Sequence, residues 1–328
     1  MPEAHSQLPS KSARVTGAIY GHLCGDAFGV PYEFHTPRQL PRELKWGAIG
    51  THAQPPGTWS DDGALMLCHV ASFAELGRFD ADDTGRRFVR WSGQGYMAAG
   101  GVVFDIGNTT NMAIGRINAG TPAAQAGPDG ESDNGNGSLM RVLPVALWFA
   151  NAPLNELITA CHDASRITHG HARSQVCCAV YGLILSTLLK GAPRENVWAS
   201  ALKWVDVVYR DRFKNEKVLT DELDIIREFR DCAGRGYVVD TLVSAWQCFA
   251  SSSSYVETIE RAARLGHDTD TTAAVAGSFA GAWWGFEGVP RAWREDLRLT
   301  PDIKETIDRF VSCRPDERPL NASGVENG

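Results

Sequence analysis

Two apolar stretches of this chain carry glycine at every fourth position, and that spacing narrows the possible folds more than any other feature. Gly17, Gly21, Gly25 and Gly29 form one series; Gly277, Gly281 and Gly285 form the other. On a helix, positions four apart share a face, so each series predicts a helix with one face bare of side chains. Glycine destabilises a helix relative to alanine, and close packing against another backbone offsets that cost. In membranes the same spacing marks helix contact. Here the most apolar later runs, 176–189 and 273–286, fall short of the roughly 18–20 residues a bilayer span needs. The stripes therefore predict buried helices packed backbone to backbone.

Elsewhere the period is helical as well. Helices are expected at about 12–28, 61–77, 80–92, 108–118, 138–150, 153–164, 171–190, 195–210, 219–231, 239–250, 254–265, 271–286 and 301–313. Several carry start signals. Ser60 precedes Asp61 and Asp62, which suit the positive end of a helix. Ser254 with Glu257 forms a capping box, and Pro153 suits a first turn. There is no series of alternating strands and no strand–glycine loop–helix unit, which argues against a dinucleotide fold. Neither a fixed repeat nor a linker divides the chain. The expectation is an all-α fold: one multi-helix domain at 14–313, with a flexible segment at 1–13 and a flexible tail at 314–328. Two long loops, 35–59 and 119–137, are rich in Gly with Pro and His or Asp and Asn; loops of that length in a compact domain usually carry function.

Composition limits the partners. The 328 residues are 43% hydrophobic and 22% charged, with a net charge of −7, ordinary for a globular chain. An acidic balance argues against nucleic acid, which needs a basic face, while a local phosphate pocket of backbone amides remains compatible with it. The N-terminus is polar and lacks the apolar core of a signal peptide, so the expectation is a cytoplasmic protein with no membrane partner. None of the eight cysteines forms C-x-x-C, and most sit in apolar runs as small hydrophobes. The group Cys161, His162, His169, His171, Cys177 and Cys178 matches no zinc spacing.

Two acidic clusters carry the chemistry: Trp59-Ser60-Asp61-Asp62 and Gly266-His267-Asp268-Thr269-Asp270-Thr271-Thr272. Each lies just ahead of an apolar helix, where helix capping alone would explain it. Together they supply four carboxylates and several hydroxyls, and converging acids repel unless cations lie between them. All-oxygen ligands indicate a hard ion, Mg²⁺, Mn²⁺ or Ca²⁺. The pattern Asp268-x-Asp270-x-Thr272 also matches a phosphatase motif, but that motif closes a strand near the N-terminus, and this one follows a helix near the C-terminus.

Taken in order along the chain, the motifs resemble the ADP-ribosylglycohydrolase family, the relatives of dinitrogenase reductase-activating glycohydrolase. The resemblance spans about residues 14–295. Gly17-Ala18-x-x-Gly21-x-x-x-Gly25-Asp26-Ala27-x-Gly29-x-Pro31-x-Glu33-Phe34 opens it. Gly57-Thr58-Trp59-Ser60-Asp61-Asp62, Phe104-Asp105-Ile106-Gly107-Asn108-Thr109-Thr110 and Gly135-Asn136-Gly137-Ser138-Leu139-Met140-Arg141 follow. Thr168-His169, Gly236-Tyr237-Val238-Val239-Asp240-Thr241 and Gly266-x-Asp268-Thr269-Asp270-Thr271 complete it.

The resemblance implies an all-α, orthogonally packed bundle with a dinuclear Mg²⁺ or Mn²⁺ centre. It also implies hydrolysis of the glycosidic bond between ADP-ribose and an acceptor, often the guanidinium of arginine on a protein. By the same resemblance Ser60, Asp61, Asp62, Asp268, Asp270 and Thr271 ligate the metals, with Ser60 in place of a more usual threonine and Gly63 where threonine is common. Glu33 or Asp62 would take the proton of the attacking water. Asp105 and Gly107 would lie at the ribose beside the cleaved bond. Asn136, Gly137, Ser138 and Met140 would cradle the diphosphate through backbone amides. His169 would contact phosphate or ribose, and Tyr237 would stack on adenine. The partners implied are an ADP-ribosylated protein as substrate, ADP-ribose as product and a cognate ADP-ribosyltransferase. A catalytically weak ADP-ribose-binding protein, or an immunity protein that neutralises a toxin by contact, is the alternative of another class.

Overall fold

The computed structural model describes residues 8–315. Fourteen α-helices occur among them: α1 (Lys11–Gly29), α2 (Asp61–Leu76), α3 (Ala81–Gln94), α4 (Asn108–Asn118), α5 (Leu143–Trp148), α6 (Leu154–Arg166), α7 (Ala172–Leu189), α8 (Arg194–Arg212), α9 (Lys217–Glu228), α10 (Val238–Ala250), α11 (Tyr255–Ala263), α12 (Thr269–Trp284), α13 (Arg291–Asp296) and α14 (Pro301–Cys313). No β-strand occurs among the described residues; one isolated antiparallel bridge joins Gly135 to Tyr237. The fold is all-α.

The glycine stripes meet. α1 and α12 run antiparallel, Gly17 lying on Gly281, Gly21 on Gly277, Gly25 on Ala273 and Gly29 on Asp270. A methyl group on Gly17 would stand 2.5 Å from the Gly281 carbonyl oxygen, and one on Gly277 would overlap the carbonyl of Gly21. The contact is backbone on backbone, as the spacing predicts. Its consequence for function is positional, because it sets the N-terminus of α12 against the C-terminal end of α1.

Around this pair, α10 and α11 pack on α12, α6 and α8 pack on α7, and α14 packs on α2. Buried Arg14 ties the centre together: its guanidinium donates to the carbonyls of Leu188 (2.6 Å) and Ala282 (2.6 Å). It thus adds a second donor to a terminal carbonyl of α7 that also accepts from the Gly191 amide (2.7 Å). α7 extends to Ala172 and so reaches 18 residues with a mean hydropathy of 1.4, longer than the apolar run suggests and long enough to cross a membrane. Most of it, 83%, is buried against other helices, which makes it a core helix.

Other elements depart from expectation for local reasons. The helix expected at 138–150 is only Leu143–Trp148, because residues 136–138 form a 3₁₀ turn and Pro144 opens a new helix. α13, six residues after Pro290, is too short to show a period. Pro153 is the N-cap of α6 and not part of its first turn. Ser254 caps α11 through the Glu257 amide, but Glu257 reaches back to Ser253. Ser10 caps α1, so helix begins ahead of residue 14, and Arg314 is buried. The rest of the two terminal segments expected to be flexible, 1–7 and 316–328, lies outside the described residues.

Candidate active site

The C-terminal end of α1 continues through a 3₁₀ turn, Val30–Tyr32, that delivers Glu33. The turn is braced from two sides. The Thr51 hydroxyl donates to the Glu33 carbonyl (2.6 Å). The Phe34 amide donates to the His267 carbonyl (2.7 Å), and the His267 amide donates to the His35 carbonyl (2.6 Å). That exchange sews the Glu33 turn to the segment ahead of α12. Glu33, Asp268 and Asp270 consequently present oxygens that all lie within 4.8 Å of one another.

α2 brings the other acids. Ser60 is its N-cap and accepts from the Asp62 amide, with Asp61 and Asp62 in the first turn. Fully buried Asp26, on α1, accepts from the Ser60 amide (2.9 Å) and the Gly63 amide (2.8 Å). A carboxylate one helix away thereby fixes the start of α2 against the start of α12, where the Thr271 hydroxyl donates to Asp62 Oδ1 (3.3 Å). Gly63 has no room for a side chain: a Cβ would stand 2.7 Å from the Trp59 ring and 2.8 Å from Leu23. Asp268 caps α12 only by position, since its side chain makes no cap bond. Its Oδ2 accepts instead from Asn136 Nδ2 (2.7 Å), which ties the 135–140 turn to the acidic cluster.

These elements enclose a cavity of about 230 Å³. Glu33, Asp61, Asp62, Asp105, Asp268, Thr271, Gly107, Asn136, Gly137, Met140 and His169 line it. Five of them are carboxylates. Burial is the first cause of upward pKa shifts here, and mutual repulsion adds to it. Asp61, Asp62 and Asp270 are pushed well above the ordinary carboxylate range, Glu33 to about 11 and Asp26 to about 7. Three carboxylate oxygens, Asp62 Oδ2, Asp268 Oδ1 and Asp270 Oδ2, are buried without a hydrogen-bond donor. A buried acceptor with no partner is costly, and a divalent cation with oxygen ligands would satisfy all three. The residues present therefore fit a hard-metal site. The cysteine and histidine group weighed for zinc does not assemble: His162 bonds Tyr209, His171 caps α7, and all eight cysteines are free.

His169 is buried, and burial together with the nearby Arg141 lowers its pKa to about 3, so it is neutral. Arg141 donates to the Thr168 hydroxyl (2.6 Å), and that hydroxyl lies 2.8 Å from His169 Nδ1. The Thr168 proton then belongs to Nδ1, which leaves Nε2 protonated as a donor.

Four of the expected site residues stand off the cavity wall. Ser60 and Asp270 lie behind it, in the turns that hold their neighbours. Ser138 is fully buried, and its hydroxyl accepts from Ser165 (3.1 Å) and Cys178 (3.6 Å) in the core. Tyr237 sits outside, its ring 6.0 Å from Phe229 and 5.9 Å from the Arg173 guanidinium. Two residues escaped the sequence reading of the site. Asp26 stands in the opening motif, Gly25-Asp26-Ala27, but the motif gave it no role. His52, from the long 35–59 loop, brings Nε2 to 2.5 Å from Glu33 Oε2, and nothing but the composition of that loop hinted at it.

A family model described as ADP-ribosylglycohydrolase matches residues 7–319. The ADP-ribosylarginine hydrolase Tri1 of Serratia proteamaculans is 29% identical over 322 residues, covering 97% of this chain and 82% of that protein. The ADP-ribosyl-[dinitrogen reductase] glycohydrolase of Rhodospirillum rubrum is 27% identical, covering 93% and 97%. A solved structure titled ADP-ribosylglycohydrolase-related protein complex superposes with a TM-score of 0.73 at 29% identity, over 94% of this chain and 99% of that one.

Proposed function

The chain belongs to the ADP-ribosylglycohydrolase family, and from that premise we propose that it releases ADP-ribose from the guanidinium of arginine on a modified protein. Being a hydrolase of this family is the shared ground; the arginine acceptor and the roles below are our reading. One observation carries it: Glu33, Asp268 and Asp270 bring oxygens within 4.8 Å of one another, and carboxylate oxygens of Asp62, Asp268 and Asp270 are buried without a donor.

Asp61, Asp62, Asp268 and Asp270, with the hydroxyls of Ser60 and Thr271, would hold two Mg²⁺ or Mn²⁺ ions. When bound, such ions neutralise the carboxylates, polarise ribose hydroxyls and lower the pKa of a water. The remaining work falls to the chain. Asp105 and the Gly107 backbone hold the ribose whose anomeric carbon is attacked. The Gly137 backbone amide and Nε2–H of His169 donate to the diphosphate and its ribose. The Asn136 and Met140 amides are already bonded to the carbonyls of Gly236 and Asn136, so these two residues shape the turn and do not donate. The ledge carrying Tyr237 receives adenine. Glu33, on the cavity wall with His52 behind it, takes a proton from the attacking water; the more deeply buried Asp62 serves as a ligand. Positive charge develops on the ribose as the bond to nitrogen breaks, as in other glycoside cleavages, beside the Asp105 carboxylate. The arginine departs as a neutral guanidine and takes up a proton. The same reading places the enzyme in the cytoplasm, opposed to an ADP-ribosyltransferase.

Asp62→Asn and Asp268→Asn are the direct test. Each should remove turnover while circular dichroism shows the helical fold intact. Full activity in either variant sinks the two-ion reading.

A further inference from the structure

Two loops meet at the mouth of the cavity with the same pairing of residue types. In one, Glu33 is followed by Phe34; in the other, Phe104 is followed by Asp105. In each pair the carboxylate lines the cavity while the ring stays off its wall. His52 stands between the rings, 5.7 Å from Phe34 and 5.0 Å from Phe104. Its Nε2 bonds Glu33, and ligand atoms of Glu33, His52 and Asp105 lie within 4.8 Å of one another.

Nothing in the core requires these rings. Phe34 is 66% exposed, and its backbone is in the left-handed region at φ 63°. That conformation is unfavourable for an L-residue with a large side chain, and strain of this kind gathers at functional sites. Asp105 is held likewise at φ 55°. Lysine and arginine are absent from the cavity lining. Aromatic rings therefore stand beside carboxylates at Glu33–Phe34 and Phe104–Asp105, and the chemistry that fits both is a flat cation.

We propose that Phe34, His52 and Phe104 form the acceptor subsite, in which the guanidinium of the modified arginine stacks on the rings while Asp105 faces its charge. The subsite rests on the arginine reading above and adds the residues that would select that acceptor. ADP-ribose itself ends at the anomeric carbon, so its binding does not depend on these rings.

The test uses the full chain with Mg²⁺ and two readouts: KM for ADP-ribosylated arginine, and the inhibition constant of ADP-ribose as a competing product. Replacing both phenylalanines by leucine (F34L with F104L) keeps apolar bulk but removes the ring faces. KM should rise about tenfold, with the ADP-ribose constant unchanged, and tyrosine at both positions (F34Y with F104Y) should restore KM. An unchanged KM in the leucine variant overturns the subsite and leaves the arginine reading standing. A parallel rise in both constants also overturns it, because the effect is then not confined to the acceptor. Absence of turnover on ADP-ribosylated arginine by the unaltered protein removes the arginine reading and the subsite with it.

Discussion

Asp26 shows how a single buried acid can organise a site it does not line. It is the acceptor for two amides at the start of α2, so it sets where Asp61 and Asp62 stand. Asp26→Ala would leave both amides buried without a partner. The expected loss is about 2 kcal/mol or more, read as a shift in denaturant midpoint, together with a fall in turnover. Stability lost with turnover intact would confine Asp26 to the fold. The sequence places Asp26 in a motif without showing its role, because its partners lie 34 and 37 positions away. Contiguous acids are easier to read: Ser60-Asp61-Asp62 and Asp268-Thr269-Asp270-Thr271 stand out as clusters. Ser138 shows the limit of contiguity. It belongs to the same short motif as Asn136 and Gly137, yet its side chain points into the core, and motif membership does not reveal direction.

At the scale of elements, backbone-to-backbone packing of α1 and of α12 was legible because four-residue glycine spacing has few uses; that the two stripes face each other was not. Helices with a clear period appear nearly where the period places them, and errors fall where proline or short length interrupts it, as at α5 and α13. The loop that supplies His52 has no period and gave no register. The close contact makes its own prediction. In Gly277→Ala the new methyl would overlap the Gly21 carbonyl, and backbone cannot yield as a flexible side chain can. Overpacking of this kind costs about 1–3 kcal/mol or more. The displacement would be felt at the other end of α12, where Asp268 and Asp270 stand. Thermal unfolding should show the loss, and Mg²⁺ or Mn²⁺ should raise the midpoint less than in the unaltered protein. A midpoint equal to that of the unaltered protein would show that the helices can part without cost.

Across the whole molecule, an acidic chain with net charge −7 concentrates five carboxylates in one cavity. Burial and repulsion raise the pKa of Glu33, Asp26, Asp61, Asp62 and Asp270 when no cation is present. An acid whose folded pKa is raised stabilises the fold fully below its unfolded pKa, about 4. That contribution is lost as pH climbs toward the folded value. With EDTA the protein should therefore lose stability from these groups between about pH 4 and pH 7 and above, the window opened by Asp26 and extended by Glu33. Cations that neutralise the cluster reverse the loss, so the gain in melting temperature on adding Mg²⁺ or Mn²⁺ should be larger at pH 8 than at pH 5.5. An equal gain at both would separate the stabilising ion from these acids.

The most direct measurement is release of ADP-ribose from an arginine-ADP-ribosylated protein, with Mg²⁺ or Mn²⁺ and with EDTA. Release should require the divalent ion and be lost in Asp268→Asn. Release at the same rate in EDTA would contradict the role given to the carboxylate cluster. Absence of release, with ADP-ribose still bound in calorimetry, would contradict the arginine acceptor.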